Sequence, residues 1–166
     1  MSIVNFNQIL CKNLSDNGED MTGIFDTLIC ERGKTRFFIC VYFSQLTDES
    51  KDFDKYYYRI VLRFLGKNRT ESKHYRVDNG FFWSQADMNN EIGDSRVAGH
   101  PSTRHGSSGR LSIGYSFDVE MQGNYEVDLY VKKCSEDSDS DSCEEKNVND
   151  LDLVSIYPFQ IIIQNP

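Results

Sequence analysis

The sequence predicts an all-β fold, a two-layer antiparallel β-sandwich of about eight strands. Three observations lead there. Apolar residues recur at every second position through several segments, and no stretch of helical length carries a 3.6-residue period. Aromatic residues make up 13% of the chain, a share suited to pleated, half-buried surfaces. Only three prolines occur, so no proline-rich linker divides the chain. Its 166 residues are read as a single domain, 1–166, able to bury a core of its own.

The elements follow in order. Ile3–Cys11 and Gly23–Cys30 read as the first strands. Thr35–Phe43 is apolar on both faces and reads as a central strand. In 55–66, Tyr56, Tyr58, Ile60, Leu62 and Phe64 share one face, and Lys55, Tyr57, Arg59, Val61 and Arg63 form the other, expected to be solvated. Tyr75–Trp83 is a further strand, Ser84–Ile92 a candidate short helix, and 93–110 a long Gly/Ser/His/Arg loop. Leu111, Ile113, Tyr115, Phe117, Val119 and Met121 alternate with small or charged residues, as do Tyr125, Val127, Leu129 and Val131. Gln122-Gly123-Asn124 between them has hairpin chemistry, since Gly and Asn accept positive φ. Val154–Ile163 closes the set. Tyr125, at the start of a late strand, suits the tyrosine that bonds back to the main chain at a sandwich corner.

Charge is unevenly placed. Of 26 acids and 18 bases, residues 135–152 hold eight acids and one base, which leaves 18 acids against 17 bases elsewhere. The net charge of −8 therefore belongs to an acidic insert, 135–150, and not to the body. Within it Asp137, Asp139 and Asp141 resemble the opening of a calcium loop. Ser142 and Val148, however, stand where such a loop needs Gly and Glu, so they are at most weak metal candidates and a solvated insert is expected. No cofactor is implied.

The five cysteines include no CxxC pair, their count is odd, and no export-leader pattern or long apolar run is visible. This predicts a cytoplasmic protein without a membrane span, free thiols at Cys134 and Cys143, and Cys11, Cys30 and Cys40 as small core residues. Enzyme signatures fail on inspection. Gly33-Lys34-Thr35 lacks the leading glycine of a phosphate loop, because position 28 is Leu. His105–Gly109 is no nucleophile elbow. No catalytic residue is expected.

Contact residues are sought on the basic stretch 55–76 and the loop 93–110, where Arg59, Arg63, Arg76, His100, Arg104, His105 and Arg110 could meet a partner. Trp83, the only tryptophan, ends the Phe81-Phe82-Trp83 cluster as a candidate anchor. The resulting expectation is a non-catalytic binding or adaptor module for a protein partner, which includes a second copy of the chain. Its alternatives are capture of a nucleotide or nucleic acid by 55–76 and 93–110, or weak calcium-dependent binding by the insert.

Gly23-Ile24-Phe25-Asp26, the apolar strand Phe37–Phe43, Gly123-Asn124-Tyr125-Glu126-Val127 and Ile156-Tyr157-Pro158-Phe159-Gln160-Ile161 together resemble a family of small bacterial and phage-borne β-sandwich proteins of unknown function. The resemblance implies an immunoglobulin-like or C2-like sandwich and assigns no activity.

Overall fold

The computed structural model describes residues 3–15, 20–46, 56–66, 73–82, 91–92, 95–99, 106–134 and 147–164, with the backbone alone for 3–4, 44–46, 76, 81–82, 91–92, 95–99 and 106–110. The strands run in chain order as β1 (Ile3–Leu14), β2 (Met21–Ile24), β3 (Thr27–Glu31), β4 (Gly33–Leu46), β5 (Tyr56–Phe64), β6 (Lys73–Phe82), β7 (Glu91–Ile92), β8 (Ser95–Gly99), β9 (Gly106–Val119), β10 (Gly123–Lys133) and β11 (Asp152–Gln164), with one 3-10 turn at Val148–Asp150. They form two sheets, ordered β2-β1-β4-β9-β8-β7 and β3-β11-β10-β5-β6. The all-β sandwich expected from the alternation is what the chain adopts.

The core lies between the sheets and is built by the period of two. Phe37, Ile39 and Val41 of β4 and Leu111, Ile113 and Phe117 of β9 face Tyr58, Ile60 and Leu62 of β5 and Tyr125, Val127 and Leu129 of β10. Phe37 sits in an aromatic nest, edge-on to Phe25, Phe117 and Phe159 at ring-centroid separations of 5.8–6.0 Å. Edge-to-face contact of this kind adds stabilisation beyond area burial. The expectation for Thr35–Phe43 holds: β4 runs between β1 and β9.

Five expectations are corrected. Gly23–Cys30 is two strands in different sheets. The chain passes between them at Phe25–Asp26, after Gly23 at φ +69°, with Phe25 buried and its N–H given to the Leu10 carbonyl. Gln122-Gly123-Asn124 joins no hairpin, because β9 pairs with β4 and β8 while β10 pairs with β5 and β11. The connection is an arch from one sheet to the other. Gly123, at φ +144°, serves an arch as well as a turn. Tyr125 fastens it by donating from its hydroxyl to the Met121 carbonyl at 2.6 Å.

The described residues of 93–110 are strand and not loop. Ser95–Gly99 is β8, and Gly106–Arg110 extends β9 along β4 as far as Leu46 opposite Gly106. Small residues show no alternation to read, yet their backbones pair freely. Glu91–Ile92, expected as the end of a helix, is β7; the rest of that candidate lies outside the described residues. Finally, the sandwich is not wholly antiparallel, since β3 runs parallel to β11.

Candidate functional site

The face of 55–66 expected to be solvated is covered. Tyr57 and Val61 on β5, Tyr130 on β10, Cys134 and Leu151 are buried together, with Val148 packed against them. A second, smaller core thus sits on the outside of the five-stranded sheet, where the segment reaching β11 lies over it. Arg59 is only 8% exposed and has its Nη2 3.2 Å from the Tyr57 hydroxyl.

Arg63 is half-buried and committed. Its Nε lies 3.1 Å from Asp128 Oδ2 and 3.6 Å from Glu126 Oε1, and its Nη2 donates to the Tyr130 hydroxyl at 2.9 Å. That hydroxyl lies 3.3 Å from Asp128 Oδ2 as well. Burial lifts the Asp128 carboxyl above the ordinary carboxylate value, and Arg63 and Tyr130 only partly offset it. Asp128 is 1% exposed, and its Oδ1 has no partner among the described residues. Of the expected contact residues, then, Arg59 is buried and Arg63 is half-buried and paired with Asp128. Arg76 and Arg110 stand on β6 and β9. Trp83, His100, Arg104 and His105 lie outside the described residues, as do Asp137, Asp139 and Asp141. Among the described residues no group of three or more His, Cys, Asp or Glu is placed to hold a metal.

The cysteine expectation needs correction at one position. Cys11, Cys30 and Cys40 keep their thiols, but Cys134 is disulfide-bonded. Such bonds persist in oxidising surroundings, so this finding bears on the cytoplasmic expectation too. Cys11 is fully buried, and its thiol is pushed up to about 12 by burial and then by neighbouring Cys40, which leaves it inert as a nucleophile. No helix among the described residues is long and apolar enough to cross a membrane.

Sequence reasoning missed the surface that stands out. Large apolar side chains that remain exposed among the described residues are Ile24, Ile29, Leu153, Val154, Ile156 and Ile162. All belong to β2, β3 and β11, one flank of the sandwich. On β11 the odd residues Phe159, Ile161 and Ile163 enter the core, and the even residues Val154, Ile156 and Ile162 face out. Ile162 is opposite Ile29 of β3.

Three observations show why this flank is open. The register of β3 against β11 begins at Gln160, so the part of β11 from Asp152 to Pro158 has β10 on one side and, among the described residues, no strand on the other. The Gln160 N–H donates to the Asp26 carbonyl, which fixes even-numbered β11 residues as those bonding toward β3. Pro158, an even residue, lacks an N–H at the point where pairing stops, the position in a sheet that tolerates proline. The Tyr157 hydroxyl ties the junction by donating to the Phe25 carbonyl at 2.6 Å. A signal was present in the sequence: Ile156 and Ile162 alternate with Tyr157, Phe159, Ile161 and Ile163, which pack into or against the core, at positions where an outer face should carry polar groups.

No protein family matches the chain and no curated protein matches it. The likeness carried by Gly23–Asp26 and the late strands therefore stands on those motifs alone.

Proposed function

We propose that the chain is a non-catalytic binding module that engages a protein partner through the flank formed by β2, β3 and β11. One observation carries this reading: the exposed large apolar side chains of the described residues gather on that flank instead of being scattered. Scattered surface hydrophobes need no explanation, whereas large apolar side chains gathered beside an open sheet edge suit a protein-binding surface. Capture of nucleic acid by 55–76 draws little support, because Arg59 is buried and Arg63 is neutralised by Asp128.

The test is photo-crosslinking in the native cells. A photoreactive phenylalanine at Ile156 should give protein adducts, and the same residue at Ser116, exposed on the other sheet, should not. Adducts at neither position, or equally at both, would end the proposal.

A further inference from the structure

Among the described residues β3 is the outermost strand of its sheet and is bonded on one side only, to β11. Its parallel register determines where its main-chain groups point. Thr27 is opposite Gln160 and Ile29 opposite Ile162, and the Asp26 carbonyl accepts from the Gln160 N–H. In a parallel ladder the residues flanking each partnered position supply the bonds, so Asp26, Leu28 and Cys30 face β11. The N–H and C=O groups of Thr27, Ile29 and Glu31 consequently point away from the sheet. Ile29 is 51% exposed and Glu31 is exposed, so this edge is accessible.

From this geometry, and resting on the reading of the flank as a protein-binding surface, we infer that the partner is a second copy of the chain, docked β3 against β3 in antiparallel fashion about a two-fold axis at Ile29. Centring on Ile29 is the one antiparallel arrangement in which every outward-pointing residue of the strand meets another. Ile29 meets Ile29, and Thr27 meets Glu31 in both directions. Shifting the axis by one residue in either direction leaves an outward-pointing residue without a mate in the opposing strand.

The same centring places Asp26 of each copy opposite Arg32 of the other, two ion pairs related by symmetry. Both residues are exposed, and neither is ion-paired among the described residues. No like charges are opposed along the seam, as cross-strand pairing requires. That matters for a chain of net charge −8, whose copies otherwise repel. On the outer face Ile29 would meet Ile29 of the other copy, and Ile162, opposite Ile29 on β11, would lie one strand further back in each copy, so an apolar row crosses the seam. A closed two-fold contact also removes the free edge instead of passing it on, and a dimer rather than a filament results.

The contact is short, so association is concentration-dependent and belongs to the weak class. Sedimentation velocity on the full chain, over a series reaching about 1 mM, should show the mean mass moving toward that of a dimer. Ile29→Pro deletes a donor that points away from β11, so it should stay monomeric with its melting temperature little changed. Arg32→Asp should weaken dimerisation about tenfold or more by placing like charges in opposition, and Asp26→Arg combined with Arg32→Asp should restore it. The swap carries the test if the proline variant does not fold. A parent that remains monomeric at the highest concentration overturns the inference, and so does a dimer indifferent to Arg32→Asp and its swap. In the first event, adducts at Ile156 with a different protein would leave the flank reading standing and remove only self-pairing. Loss of all adducts would remove both.

Discussion

Replacing Tyr125 by Phe isolates one hydrogen bond at the arch between the sheets. The hydroxyl donates to the Met121 carbonyl at 2.6 Å, and the ring stays where it was, 4.9 Å from Phe64 and 5.6 Å from Phe159 between centroids. The substitution therefore removes a polar contact and leaves the packing. A typical intramolecular hydrogen bond contributes about 1 kcal/mol net. Met121 is only half-buried, so water can reach its carbonyl and the larger penalty of an orphaned acceptor does not apply. The expected loss is thus about 1 kcal/mol, or roughly 2–4 °C in melting temperature for a chain of this size.

The pH dependence provides an internal control. Burial, then Tyr75, Cys30 and Glu120, push the Tyr125 phenol up to about 12 from its ordinary 10.0. A phenol harder to ionise in the folded chain than in the unfolded one costs stability as pH climbs from its unfolded pKa toward its folded one. The parent accordingly loses this contribution between pH 10.0 and about 12, and Tyr125→Phe has no such contribution to lose. The gap between the two proteins should narrow across that window. Urea denaturation at neutral and alkaline pH measures both quantities. Equal midpoints at neutral pH, or a gap that holds its size above pH 10.0, would refute the assignment of Tyr125 as a corner tyrosine.

Two further outcomes are expected. Arg63→Met strands the Asp128 carboxylate in a buried site and should cost about 3 kcal/mol at neutral pH, the low end for a broken buried pair because Arg63 keeps 24% of its side chain exposed. The cost should fall as Asp128 is protonated in acid and should largely vanish with Asp128→Asn added; a cost independent of pH in denaturation experiments would show that the ion pair is not the cause. Thiol titration of the denatured, unreduced chain should find three reactive groups, Cys11, Cys30 and Cys40, against five after reduction, and five without reductant would remove the bond at Cys134.

The alternation made the core legible because a residue's neighbours two positions away decide its face. Phe37, Ile39 and Val41, or Tyr125, Val127 and Leu129, could be assigned without any knowledge of which strand they meet. What covers the opposite face is decided far along the chain. Tyr57, Arg59 and Val61 have the composition of a solvated face with an aromatic in it, and Tyr57 and Val61 are buried with Tyr130, Cys134, Val148 and Leu151, all far later in the chain. The arch at Gly123 was misread for a related reason. A positive-φ glycine marks a change of direction, but the choice between hairpin and sheet-to-sheet crossing rests on β4 and β5 having claimed β9 and β10 as neighbours. The flank at β3 and β11 escaped notice because an apolar residue on an outer face looks like ordinary noise until its neighbours across the ladder are known to be apolar as well.

The parallel pairing of β3 with β11 has a consequence for how the chain reaches its native state. Residues 27–31 join residues 160–164, so the strand that seats β3 is synthesised about 130 positions after it. Until then a nascent β3 lacks the strand it pairs with, while β1, β2 and β4 can already zip through short connections. Loop closure over that span is entropically costly before any contact compensates it, which assigns assembly of the five-stranded layer to the slow phase of folding. A ribosome-stalled chain lacking β11 would therefore present a half-built sandwich to chaperones, with its second layer still waiting for its keystone.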